Sequence, residues 1–277
     1  MSKYARELTP EEKAKPYSKY FYRTPTPPPT EWLAAMSDPV DPAKATPVER
    51  LNDLLNPGYL EVERGWCVMP DGTGFIANHI PMPGVTAEMI DWWFAWFALE
   101  DLRYKLWYPP SHFAVTVRDK DRARALNSSL PMNERRLRIE YVIEDIGGPS
   151  ADLIEIPFVS AEHLGFDMSR FHSPNVATVI CGNPGGIMLD PPPGIPNHKS
   201  AGVLVHFIRE TPDGVELRTR FWLGYHILDK KPARCIPDSI SIPDFVVRGM
   251  AIHNVHEFTN LASFLPTLYA EQKGIVD

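Results

Sequence analysis

SIPDFVVRGMAIHNVHEFTNLASFLPTLYAEQ, Ser241–Gln272, repeats apolar side chains at steps of three and four along almost its whole length. That period predicts one long C-terminal helix, opened by Ser241 ahead of Pro243 and closing near Gln272 unless Pro266 bends it. One stripe of the helix carries Val246, Met250, His253, Glu257, Leu261 and Phe264, and the adjoining stripe Val247, Ala251, Phe258, Ala262 and Leu265. This side must face a core or a cavity. His256 falls in line with Gly249, Asn260, Ser263 and Thr267, a more polar stripe, and is expected to point elsewhere.

Ahead of this helix stand short segments with period-two alternation: HFAVTVRD from His112, RLRIEYVIED from Arg136, DLIEIPFVS, NVATVICG, AGVLVHFIRE and VELRTRFWLGYHI. These read as antiparallel strands, two of them joined by the tight turn in ETPDGVE. LEVERGWCVMPDGTGFIANHIP reads as a further hairpin turning at Asp71-Gly72. Thr86–Trp107, free of proline and glycine and crowded with Trp92, Trp93, Trp96, Leu99 and Tyr104, reads as one helix capped by Thr86. Its aromatic side either packs in the core, the plainer expectation, or lines an apolar cavity. The order predicts an α+β fold, a helix-grip in which an antiparallel sheet wraps the long C-terminal helix around a cavity. Residues 1–58, short helical pieces broken by proline, read as an N-terminal extension. Residues 59–277 read as the helix-grip domain.

The chain has 277 residues, enough for a substantial core, and a net charge of −7 without a basic block. That balance argues against nucleic acid and against an anionic membrane as partners. The N-terminus lacks the apolar run of a signal peptide, so a cytoplasmic protein is expected. Cys67, Cys181 and Cys235, odd in number and far apart, suggest neither a disulfide framework nor a cysteine metal site. The 29 prolines cluster at Pro25–Pro29, Pro39–Pro47 and Pro191–Pro196, and stiff loops explain them.

His253 and Glu257, four residues apart on the inward stripe, can converge on one ion. A glutamate on an apolar stripe needs a cation, a hydrogen-bond network or a shifted pKa. The plain alternative is a His–Glu pair buried in the core. His112 opens a strand, and Glu140 and Glu144 share one face of another, so further ligands are at hand. Two imidazoles with two carboxylates suit Zn²⁺ or another first-row ion rather than calcium or magnesium. The inverted zincin motif is excluded, because its last two residues are transposed here.

WWFAWFALEDLRYKLWYPPSH (92–112), VIEDIGG (142–148) and HNVHE (253–257), in this order and spacing, resemble the diacetylphloroglucinol hydrolase family, which includes phloretin hydrolases. The resemblance runs from about residue 60 to the C-terminus. It implies a zinc-dependent hydrolase that cleaves the carbon–carbon bond between an acyl group and a polyhydroxylated ring. It also implies a helix-grip (Bet v 1-like) domain and a homodimer formed through the N-terminal extension. Carried over, the metal ligands are His112, Glu144, His253 and Glu257, with Glu140 as the alternative strand glutamate. Tyr104 would contact phenolic oxygens, and His198 would be a further pocket histidine. The position three residues after His112, where the family's diacetylphloroglucinol enzymes carry an amide, is Val115. A less polar pocket wall there would favour a longer or aryl-bearing acyl chain. Two rival readings are a noncatalytic carrier of apolar aromatic ligands and a closed, structural metal site.

Overall fold

The computed structural model describes residues 4, 7–171, 175–194 and 197–274. Among these, nine strands form one antiparallel sheet: β1 (Gly65–Val68), β2 (Gly74–Pro83), β3 (His112–Val117), β4 (Ile139–Glu144), β5 (Asp152–Val159), β6 (Thr178–Gly182), β7 (Gly185–Met188), β8 (Gly202–Thr211) and β9 (Gly214–Leu223). The strand order is β1-β2-β9-β8-β6-β5-β4-β3, with β7 pairing on β5. A separate two-stranded ribbon pairs Tyr225–Leu228 with Lys231–Arg234. The mixed fold, with its large antiparallel sheet and C-terminal helix, is the coarse architecture expected from the sequence. Among the described residues, no helix is long and apolar enough to cross a membrane.

Alternation along β8 shows why both faces of the sheet are dry. Leu204 and Ile208 belong to the core cluster that holds the terminal helix, while Val203, Val205 and Phe207 belong to a second cluster on the opposite face. That second face is covered by Val48, Leu51, Leu54 and Leu55. A one-residue slip of β8 would exchange the two sets, so burial on both sides fixes its register against β9. Leu8, Tyr17, Tyr20 and Met36, also from the first 58 residues, are buried in the first cluster.

The terminal helix spans Asp244–Gln272, three residues later than Ser241, with Pro243 at its N-cap and no side-chain cap. It continues through Pro266. A mid-helix proline costs roughly 3 kcal/mol. Phe264, Leu265 and Leu268, all buried in the core around it, offset that cost. Gly249 lies where this helix meets the loop after β4: a Cβ there would sit 2.9 Å from the Gly147 carbonyl oxygen.

The aromatic segment is not one helix. Ala87–Trp96 is capped by Thr86, whose hydroxyl accepts from the Met89 amide, but a 3₁₀ turn at Phe97–Leu99 follows. Glu100 is fully extended at φ −152°, ψ 143°, and a second helix runs Asp101–Trp107. The break has a tertiary cause. The Glu100 carboxylate accepts from Tyr17 at 2.5 Å and from Lys15 at 3.1 Å, both near the N-terminus, and from the neighbouring Arg103 at 3.2 Å, so remote groups help hold it out of helical geometry. The reorientation brings Tyr104 and Trp107 to the wall of the internal cavity. Strand β7 and the short helix Asp119–Leu126 also lie outside the sequence expectation.

Candidate metal centre

Three elements converge at one end of an internal cavity. His112 is the first residue of β3, Glu144 the last of β4, and the two are Cα partners across the ladder. His253 and Glu257 stand one turn apart on the terminal helix. All four side chains are buried. His112 Nε2 lies 3.4 Å from His253 Nε2, 3.4 Å from Glu144 Oε2 and 3.5 Å from Glu257 Oε2. His253 Nε2 lies 3.8 Å from Glu144 Oε2 and 3.9 Å from Glu257 Oε2. Ligand atoms of His112, Glu144 and His253 all fall within 4.8 Å of one another.

The electrostatics of this cluster are those of a cation site. Burial, then the neighbouring His253, holds His112 well below the usual imidazole range. Burial, then His256, pushes His253 down to about 3. Burial pushes Glu144 up to about 7 against the opposing Tyr104 hydrogen bond, with Asp152 and Asp145 adding to the rise. Glu257 is driven well above the carboxylate range by burial and then by Glu144. Two neutral imidazoles therefore face two carboxyls that are costly to ionise without a counter-charge. A divalent ion supplies that charge and reverses the carboxyl shifts. The donor set fits as well. Ligands about 2.0–2.1 Å from a tetrahedral centre stand about 3.3–3.4 Å apart, close to the shorter separations here. These residues could hold a first-row ion.

Other groups orient the cluster. Tyr104 stacks on His112, ring centroids 4.4 Å apart and planes within 4°, and its hydroxyl donates to Glu144 Oε2. Trp107 meets the same imidazole edge-on at 5.2 Å. Asn254 Nδ2 donates to Glu257 Oε1 at 3.0 Å, and Asn78 Nδ2 on β2 donates to Asn254 Oδ1 at 3.0 Å. Burial, then Glu144, raises Tyr104 well above the usual phenol range.

The cavity has a volume of about 290 Å³, and Tyr104, Glu144, His253 and Glu257 border it. The remaining wall is largely apolar, with Phe94, Phe97, Phe158 and Phe221 among its residues. The aromatic helices thus do both jobs set against each other in the sequence reading: they pack the core and line the cavity.

The other expected residues fall as follows. Glu140 pairs with Arg138 at 2.6 Å, both fully buried, and borders the same cavity. His256 is half-buried with its ring 5.6 Å from Tyr108, turned from the cluster. His198 is exposed at the cavity rim. Val115 is buried in the apolar core beside its ladder partner Val142, which borders the cavity. Sequence reasoning missed His206. It lies in the cavity wall, with Nδ1 2.8 Å from the Thr219 hydroxyl and its ring 4.7 Å from that of Phe258. Burial pushes it down to about 3, so it stays neutral. Its signal was available: at the centre of β8, His206 shares the inward face with Leu204 and Ile208.

A buried cluster of two histidines and two glutamates, which could hold a metal ion, stands at the end of an aromatic cavity, a pocket suited to an enzyme. The chain belongs to the DAPG hydrolase family, whose PhiG domain model matches residues 46–270, and it is a hydrolase. It is 34% identical to the phloretin hydrolase of Eubacterium ramulus over 270 residues, 95% of this chain and 92% of that protein. It is 28% identical to the 2,4-diacetylphloroglucinol hydrolase of Pseudomonas protegens over 273 residues, 93% of this chain and 84% of that protein.

Proposed function

We propose that the protein hydrolyses the carbon–carbon bond between an acyl group and a polyhydroxylated benzene ring, releasing a phenol and a carboxylic acid. The observation that carries this reading is the cluster of His112, Glu144, His253 and Glu257 at the end of an aromatic cavity, in a chain whose relatives are phloretin and diacetylphloroglucinol hydrolases. The four residues would hold Zn²⁺, which when bound polarises a carbonyl and acidifies water. The strand order and terminal helix support a helix-grip (Bet v 1-like) description of the domain.

The chemistry asks for proton handling at the ring. An aryl carbanion is too poor a leaving group, but a polyphenol protonated at its acyl-bearing carbon becomes a keto tautomer. Water attack on the acyl carbonyl then expels an enolate, which rearomatises. The phenylalanines of the wall bind the ring and exclude water. Tyr104 Oη, hydrogen-bonded to Glu144 Oε2, is placed to hold and return a proton at a phenolic oxygen. His206, neutral and tethered by Thr219, offers a second hydrogen bond in the wall, and His198 can add one from the rim.

The free thiols Cys67, Cys181 and Cys235 suit a reducing, cytoplasmic setting. Residues 1–58 would serve as a dimerisation arm, and sedimentation of the chain with and without them tests this. For the activity itself, product analysis across phloretin, diacetylphloroglucinol and aryl ketones lacking ortho and para hydroxyls is the test. Acid and phenol should form only from the hydroxylated substrates. Cleavage of an ester or peptide with no acylphenol turned over would refute the reading.

A further inference from the structure

The two glutamates of the cluster are held in opposite ways. Glu144 accepts the Tyr104 hydroxyl on Oε2, the same oxygen that faces the histidines. Glu257 instead accepts from Asn254 on Oε1, leaving Oε2 toward His112 and His253. Asn254 is itself held, because its Oδ1 accepts from Asn78 Nδ2, which also donates to the Ala251 carbonyl at 2.9 Å. Both asparagines are fully buried, one on the terminal helix and one on β2. A buried amide pair in an apolar setting is costly unless every donor and acceptor is hydrogen-bonded. Asn78 Oδ1 has no partner among the described residues, so the pair is not built for polar satisfaction alone.

We propose that Asn254, braced by Asn78, is a positioning residue that fixes Glu257 with one oxygen toward the two histidines and makes it the anchored carboxylate of the cluster. Glu144, held on its histidine-facing oxygen by Tyr104 alone among the described residues, is then the carboxylate free to shift during turnover. The braced chain Asn78–Asn254–Glu257 ties the terminal helix to β2 and sets the rotamer of Glu257 before any ion arrives. This inference rests on the metal reading above.

The test is Zn²⁺ affinity of the full chain, measured by competition with a chromophoric chelator and independent of activity. Asn254→Leu keeps similar volume and removes the donor. It should weaken Zn²⁺ binding by about ten- to a hundredfold, the usual effect of losing an outer hydrogen bond to a ligand. In a Glu257→Gln background the same change should alter affinity less than about twofold, because Asn254 acts through that carboxylate. Asn78→Ser, a smaller perturbation that serves if Asn254→Leu does not fold, should weaken binding about threefold or more. Wild-type affinity in Asn254→Leu, or in Asn78→Ser where that variant decides, overturns the proposal. So does an undiminished loss from Asn254→Leu in the Glu257→Gln background. Wild-type protein that takes up no Zn²⁺ would refute the metal reading and this inference together, whereas binding that ignores both asparagines refutes this inference alone.

Discussion

Tyr104 reaches the cluster twice, by its ring over His112 and by its hydroxyl to Glu144. Tyr104→Phe should therefore keep the stack and the metal while lowering kcat about a hundredfold, within the range of a lost proton-transfer group. Metal analysis beside steady-state kinetics checks this, and unchanged kcat removes Tyr104 from the chemistry. His253→Ala should empty the site, whereas His256→Ala, whose ring rests near Tyr108, should keep its metal. The reverse pattern would mean the wrong helix face carries the ligand. At this scale the i, i+4 pair was legible, because helical periodicity alone sorts His253 from His256. The choice between Glu140 and Glu144 was not. Both lie on one strand face, and only the pairing of Glu144 with His112 across the ladder separates them. Asn78 and Asn254 were illegible for a similar reason, since their contact joins residues 176 positions apart.

Two elements show what periodicity can and cannot carry. The terminal helix was legible across Pro266 because the apolar stripe resumes beyond it. The break at Glu100 was not, because Lys15 and Tyr17, more than 80 positions away, hold that carboxylate. Gly249 offers a test of how closely the helix seats on the loop after β4. Alanine raises helix propensity by about 1 kcal/mol, but its Cβ would lie 2.9 Å from the Gly147 oxygen, and overpacking costs roughly 1–3 kcal/mol. The clash should win. Gly249→Ala should lower Tm, and a raised Tm would show that the loop yields freely.

Across the whole molecule, the sheet is fastened on its second face by charge as well as by apolar contact. Glu63 meets Arg218 and Arg220 of β9, with an Arg220–Glu63 separation of 2.8 Å. Burial raises its pKa, but the two guanidiniums outweigh burial and bring it from 4.5 down to about 2. A folded value below the unfolded one means that this stabilisation is complete above pH of about 4.5 and is lost as pH falls towards about 2. Glu63→Gln should flatten the acid side of the stability profile over that window. At neutral pH it should cost about 3 kcal/mol by leaving two buried cations without a counter-charge, although both guanidiniums still donate to backbone carbonyls. Denaturant melts at several pH values check both effects, and parallel profiles for variant and wild type would contradict them. The α+β order was readable from the succession of periods. The second-face cover was not, since short proline-broken helices give no period that points to a partner.

Metal-dependent carbon–carbon hydrolysis is open to a single assay. An acylphloroglucinol is assayed with the protein as purified, after chelation, and after Zn²⁺ is returned, with metal content determined at each stage. The protein should carry one zinc per chain, lose acid and phenol formation on chelation, and recover it with the returned ion. Full turnover by metal-free protein would contradict metal dependence.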